Sequence, residues 1–408
     1  MKAIFYQNKN LEKVLDILLF ITAFSIPFAF AFNSISIFLL FLFSFFWFDK
    51  RKYSLKKMPF FLFVLFFILQ IVGIFYCELP EKGVATVIKS VVFLVFPIAF
   101  INLSNAITKH SVLVAIKGLI IGILLILIST HFLIIKDVII KGFNVSSLFT
   151  NYFREDFINM GLVKVHAPYL GMLVIMSLIF TYLIPFKKNK GLKWVVILYL
   201  MISLLQISTI MSLFILGIFF GYLLFKSFKY KKFKVIGLFV IIAIGFIYFS
   251  YKNQIDITNK DFFLKRVETI FKTGDETRKE NWKSVISVIK DNFFLGIGTD
   301  GGLKQLQQHR NKQSEPYINK HNAHNQFLEN FLRYGILGIV VYLSILIFLI
   351  KEALRNKNNF FIWFLIVFII SSFTESLLQR QIGLVFFTFY SCLFLVFSLN
   401  KNNSILQK

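Results

Sequence analysis

Cysteine is nearly missing from this chain. Its 408 residues hold two, Cys77 and Cys392, far apart in or beside apolar runs. That excludes a disulfide-stapled fold and predicts two unpaired thiols. Acidic residues are also few, 20 Asp and Glu against 45 Lys and Arg, for a formal net charge of +25. No H-E-x-x-H segment and no D-x-D pair occurs, which removes common metal-site spacings. There is no low-complexity segment, no interdomain linker and no clear internal repeat of the inverted-repeat transporter kind.

What is present is apolar. Hydrophobic residues make up 57% of the chain, and 55 residues are Phe. Codon bias accounts for part of the Phe, Ile, Lys and Asn excess, so Phe as such carries no weight. Many separate apolar runs approach the ~20 residues that cross a bilayer. They lie near 14–32, 34–48, 58–76, 87–103, 112–134, 167–186, 194–209, 211–225, 235–250, 334–350, 360–376 and 383–399. This predicts an all-α, polytopic membrane bundle of about twelve helices. Ala29-Phe30-Ala31 has the look of a signal-peptide cleavage site, but another apolar run follows at once, which favours an uncleaved first helix.

In a soluble protein so basic a chain would point to nucleic acid. Here the basic clusters lie between apolar runs, so no nucleic-acid partner is expected. Lys50-Arg51-Lys52 with Lys56-Lys57, Lys187-Lys188-Asn189-Lys190, Lys226 to Lys234, Lys351 to Lys357 and the tail from Lys401 all fall on the side of the N-terminus. The positive-inside rule makes that side cytoplasmic. Two longer loops then fall outside, near 135–165 and 251–325. The chain reads as an N-terminal bundle (1–250), a large outer loop (251–325) and a C-terminal group of about three helices (326–408).

The large loop has helical character. From Thr277 to Asn292, Trp282, Val285, Ile286 and Ile289 follow the spacing of an amphipathic face. Leu303 to Gln313 suits a second, polar helix. Asn322 or Asn325 can cap the helix that re-enters the membrane, with Phe327, Leu328, Phe331 and Leu332 as its face. The whole reads as a lid of short helices over the outer end of the bundle.

His324 is the first candidate for chemistry. At a helix start near the outer interface it can take a proton from a hydroxyl, hydrogen-bond a phosphate oxygen, or simply cap the helix. His321 and His324 stand at i, i+3, but no third ligand follows, so no metal and no cofactor are expected. Arg278 offers a guanidinium whose fork suits a diphosphate. Gly296-Ile297-Gly298-Thr299-Asp300-Gly301 satisfies G-x-G-x-x-G but follows a helix and has no βαβ context, so it reads as a tight turn, with a phosphate-binding backbone nest as the alternative. Lys89, Arg154, His166 and Arg380, with Glu375 and with Asn325 beside His324, complete an outer surface that suits a polyprenyl diphosphate: tail in lipid, diphosphate at the interface, sugar in water.

In order, these motifs resemble a family. Arg278-x-x-x-Trp282, then Phe294-Leu295-Gly296-Ile297-Gly298, then His324-Asn325-x9-Gly335-x-x-Gly338 is similar to the O-antigen ligase and O-antigen polymerase superfamily, most sharply over 265–345. Thr374-Glu375-Ser376 to Gly383 resembles the family's last outer turn. The resemblance implies an inner-membrane glycosyltransferase, metal-independent and inverting. It would move an undecaprenyl-diphosphate-linked glycan to an acceptor hydroxyl on the periplasmic face. His324 would be its essential histidine and Arg278 a diphosphate ligand. The acceptor would be lipid A–core for a ligase, the preferred case. It would be the next repeat unit for a polymerase, or a protein for the third branch. One departure stands out: where relatives carry a basic residue after a Ser-Ser pair, this chain reads Ser208-Thr209-Ile210-Met211. Lys89 and Arg154 are the candidate substitutes. The rival from another class is a transporter, either a lipid-linked oligosaccharide flippase or an ion-coupled carrier. It would want charges at the bilayer midplane, whereas the ionisable residues here lie mostly at helix ends and in outer loops.

Overall fold

The structure is a computed structural model that describes residues 9–28, 30–47, 58–141, 165–186, 189–207, 209–230 and 276–400. The span expected at 235–250, most of the smaller outer loop with Arg154, loop residues 251–275 and the basic stretches at 50–57, 187–188, 231–234 and 401–408 lie outside them. Every regular element among the described residues is helical. Six helices there are long and apolar enough to cross a membrane: Pro80–Asn105, Lys109–Lys136, Lys190–Ile207, Ile210–Phe228, Gln326–Arg355 and Gln381–Leu399. Four shorter apolar helices, Ala31–Trp47, Pro59–Val72, Ala167–Leu183 and Asn359–Ser372, accompany them. The chain is a multi-pass membrane protein, and both cysteines are free as expected.

Contacts divide it into two compact units, Met1–Gly122 with Glu276–Lys408, and Ile123–Asp275. The first unit starts with α1 (Lys9–Ser25), α2 (Phe30–Ser44) and α3 (Met58–Val72). Next come α4 (Pro80–Ser90) and α5 (Val92–Asn102), two helices joined end to end where the sequence suggests one span at 87–103. The start of α6 (Lys109–Lys141) completes its first half. Phe supplies much of the core after all. Phe63, Phe93, Phe96 and Phe100 are fully buried, and Phe368 stacks on Phe387 with centroids 4.2 Å apart. In the second unit, α7 (Ala167–Leu183) is almost wholly buried and pairs with α8 (Lys190–Ile207), followed by α9 (Ile210–Tyr230). There His131 on α6 bonds Gln206 at 2.7 Å and Tyr199 at 2.9 Å.

The first unit resumes with α10 (Glu276–Asp291), close to the expected amphipathic helix. Its buried side is Asn281, Ser284, Val285, Val288 and Ile289, whereas Ile286 is exposed. The expected polar helix from Leu303 is shorter than its sequence suggests: α11 (Leu303–Gln308) stops early, and α12 (Glu315–Ile318) follows. Then come α13 (Gln326–Arg355), α14 (Asn359–Ser372) and α15 (Gln381–Leu399). Val285, Val288, Ile289, Ile297, Leu306, Ala323 and Leu332 form a small core that binds α10, α11 and the preceding loop to α13.

α13 is broken at Gly335, whose backbone (φ 58, ψ −155) is not helical. The part beyond the break is about 30 Å long, the thickness of a bilayer's hydrocarbon core. A break inside a helix orphans carbonyls and N–H groups, which must be met elsewhere. The glycine turn after α10 meets them. The N–H groups of Ile297 and Gly298 donate to the carbonyls of Leu332 and Arg333, both at 2.9 Å, and Ile336 N–H donates to Phe293 O at 2.9 Å. Thr299 N–H donates to Gly73 O at 3.2 Å, which pins the turn to the end of α3. The tight turn expected here is therefore present. The N–H groups of Gly296, Ile297, Gly298, Thr299 and Gly301 are spent on the protein's own carbonyls, which leaves little for a phosphate-binding nest.

Gly335 fits because a Cβ there would strike the Phe294 carbonyl group and lie 2.7 Å from Leu295 N. Gly335→Ala should cost at least about 1–2 kcal/mol from the left-handed backbone alone, and more from the backbone collision. Gly217→Ala, in α9 with nothing within 4 Å, should be neutral or stabilising. Thermal unfolding of the two variants in detergent checks the contrast; equal midpoints would show that the break is not held as described.

Candidate functional site

His324 sits in a loop whose backbone is clamped at nearly every group. Arg310 Nη2 donates to His321 O at 2.8 Å, Asn281 Nδ2 to Asn322 O at 2.8 Å, and Trp282 Nε1 to Ala323 O at 3.0 Å. Ala323 N–H donates to Glu329 Oε2 at 2.9 Å, and His324 N–H to Asn322 Oδ1 at 3.0 Å. These bonds hold His324 at φ 45, a left-handed backbone that a non-glycine residue adopts only against a cost of about 1–3 kcal/mol. Trp282 thus has its part here: its indole is a strut under the histidine loop.

The cap of α13 is Asn325, not Asn322. Its Oδ1 accepts from the N–H groups of Phe327 (2.9 Å) and Leu328 (3.1 Å), satisfying the helix start. Its Nδ2 donates to Phe373 O at 3.2 Å. Both ends of the amide are committed within the protein. The bond to Phe373 also ties the cap to the turn between α14 and α15, which carries Glu375.

That turn completes the site. His324 Nδ1 lies 3.3 Å from Glu375 Oε2, with the histidine side chain 25% exposed and the glutamate 9%. A carboxylate at Nδ1 fixes the ring orientation and the tautomer, leaving Nε2 as the proton acceptor. His321 stands edge-on to His324, centroids 4.8 Å apart and planes at 82°. Burial first, and then the neighbouring His324, lower the His321 pKa below the ordinary histidine value. Burial likewise lowers that of Arg310, whose guanidinium also reaches Asn281 Oδ1 (2.6 Å) and Pro316 O (3.1 Å).

The first turns of α13 carry their expected face, with Leu332 in the small core and Leu328 and Phe331 packed against it. They also bury a second side that is polar: Gln326, Glu329, Asn330 and Arg333, at i, i+3, i+4 and i+7. Arg333 Nε meets Glu329 Oε1 at 2.6 Å, and its Nη1 donates to Thr299 O. Gln326 Oε1 accepts Leu378 N–H at 2.6 Å, and its Nε2 donates to Asn330 Oδ1 at 2.8 Å. The same stripe in the sequence was the available signal for Glu329 and Arg333, hidden by the adjacent Phe and Leu pairs. Glu375 was legible as an outer-turn residue, but nothing in the sequence pairs it with His324.

The other candidates are dispersed. Arg278 is half-buried on the first turns of α10, on the same side as Trp282. Lys89 is exposed near the end of α4, and Arg380 is exposed at the start of α15. His166 precedes α7 in the second unit, with its ring 6.3 Å from Tyr169. In place of the relatives' basic residue, Thr209 Oγ1 donates to Ser212 Oγ at 2.7 Å, and both pack on Gly171.

Removing one partner of a buried ion pair strands the other. Arg333→Met should therefore destabilise by roughly 3–5 kcal/mol, with partial recovery in the Glu329→Gln/Arg333→Met double variant. A double-mutant cycle of unfolding in detergent reads this, and additive losses would count against the coupling. His321 has its own signature. Its folded pKa is depressed, so its contribution is complete above about pH 6.5 and is lost as pH falls through the folded value. His321→Asn should flatten the loss of stability between about pH 7 and 5; an unchanged pH profile would contradict it.

Residues 191–343 match the family model described as O-antigen ligase. The match takes in Arg278, Trp282, the glycine turn, His324 and the Gly335–Gly338 break. No curated protein matches the sequence. Over 191–343 the motif resemblance is thus borne out: that stretch of this multi-pass membrane protein is similar to the O-antigen ligase family.

Proposed function

We propose that the chain transfers an undecaprenyl-diphosphate-linked glycan to an acceptor hydroxyl at the periplasmic face of the inner membrane, as an O-antigen ligase with lipid A–core as acceptor. The remaining finer readings belong with it: about twelve spans, both termini cytoplasmic by the positive-inside rule, and the lid of α10 to α12 outside. The observation that carries the reading is His324, strained and clamped, with Nδ1 on the buried Glu375 carboxylate. Strained residues of this kind cluster at functional sites, and of the three non-glycine residues with positive φ among those described, His324 is the one paired with a buried carboxylate.

In this reading the acceptor hydroxyl gives its proton to His324 Nε2 as its oxygen attacks the anomeric carbon from the face opposite the diphosphate. The bond from that carbon to the diphosphate oxygen breaks, and the leaving group departs with its negative charge. Configuration is inverted. Arg278 stabilises the diphosphate as charge develops, with Lys89, Arg154, His166 and Arg380 as further candidate cations. Glu375 acts through His324, holding the ring and stabilising the imidazolium. Asn325 serves by fixing the cap. No metal takes part. The alternative function of the histidine, as a diphosphate binder, makes a different prediction for Glu375.

Two experiments test this. Deleting the gene should abolish polymer on lipid A–core and leave long lipid-linked chains. Single repeat units capping the core would instead mean a polymerase. An unchanged ladder would point to protein glycosylation, another exported polymer or transport. In the purified enzyme, His324→Ala should lower kcat by about 10²–10⁴-fold at unchanged protein level. Glu375→Gln should lower it by at least about tenfold with little change in KM. If both variants keep full activity, the site is wrong. A loss confined to KM would make the histidine a binder.

A further inference from the structure

One cavity outside the His324 site is shaped for another part of a lipid-linked molecule. It has a volume of about 160 Å³ and lies among α2, the α4–α5 joint and the start of α15. Its polar lining is Ser34, Lys89 and Gln381; Ile37, Phe38 and Phe41 continue along α2, and Val92 and Val95 along α5. Gln381 Nε2 donates to Ser34 Oγ at 3.1 Å and to Asn33 Oδ1 at 3.2 Å, so these residues mark one end. It is the end at which α15 begins, directly after the turn that carries Glu375. The buried Oε1 of Gln381 has no hydrogen-bond partner among the described residues.

The groove therefore has a mixed lining: a cation and two hydrogen-bonding side chains beside aliphatic and aromatic ones. Phe38 and Ile88 are 58% and 62% exposed, so its wall opens sideways rather than into the protein core. From Ser34 to Phe41 the wall runs about 10 Å along α2, the reach of roughly two isoprene units.

We propose that this groove holds the first isoprene units of the polyprenyl diphosphate donor, with Lys89 against the diphosphate. The proposal rests on the donor chemistry given above. Charge complementarity selects the occupant. A cation within one small, mainly apolar lining fits an anion joined directly to one chain. A diacyl phospholipid places a glycerol diester between its phosphate and two chains. The Gln381 amide is positioned to meet polar atoms of the head.

The test is binding of geranylgeranyl diphosphate to the full-length protein in detergent, with unfolding midpoints confirming that each variant is folded. Two variants are used: Lys89→Glu, at an exposed position, and Val95→Trp, which fills the channel at a half-buried one. Each should weaken binding by about tenfold or more, and phosphatidylglycerol should not compete. Binding that survives both substitutions, equal displacement by phosphatidylglycerol, or no binding at all would overturn the groove. A variant enzyme that still transfers glycan while binding is unaffected would separate that failure from any failure of the His324 chemistry.

Discussion

The carboxylate of Glu329 is the tie on which the histidine loop and the two turns beside it depend. One oxygen holds Arg333, whose guanidinium reaches the Thr299 carbonyl in the glycine turn. The other accepts the Ala323 N–H in the histidine loop and the Ser376 hydroxyl in the turn of Glu375. The glycine turn, the histidine loop and the turn of Glu375 are thus tied, directly or through Arg333, to one buried charge on α13. Such a charge is tolerated only when its lone pairs are met, and here the donors are Arg333, the Ala323 N–H and the Ser376 hydroxyl. The ion pair contributes less as net stability than as registry: it specifies which loop lies where.

The break at Gly335 makes this arrangement possible. An unbroken helix would consume the carbonyls of Leu332 and Arg333 internally. With the break, those carbonyls are open to the N–H groups of Ile297 and Gly298, so the turn is stitched to the helix by backbone bonds. The crowding of Gly296 against Arg333 and of Gly335 against Phe294 has the same cause, since two backbones cross there with no room for a Cβ.

The sequence made the class of fold plain because apolar runs near bilayer length are a one-dimensional signal. It also made the amphipathic α10 and the capped start of α13 plain, since capping and helical periodicity are local. It showed only part of what α13 buries. Phe327, Leu328, Phe331 and Leu332 satisfy the usual apolar spacing and pack as such, but the side around Glu329 is buried too and mostly polar, a choice made by partners distant in sequence. The same is true of Glu375 and Arg310. Each looks like a loop charge until the chain brings a histidine ring or three backbone and amide oxygens to it. The glycine turn was legible as a turn; that it repairs a helix break was not, because the break itself shows only as one glycine in an apolar run.

A clamped loop also bears on the chemistry of the pair it presents. His321 and His324 stand ring to edge, and two imidazolium ions at that separation would repel. The environment divides them: burial disfavours the charged form of His321, while Glu375 gives His324 an opposite charge at Nδ1. Because Arg310 holds the His321 carbonyl and Trp282 the Ala323 carbonyl, that division does not depend on side-chain packing alone. The loop backbone keeps the carboxylate on one side of the His324 ring and the second imidazole on another.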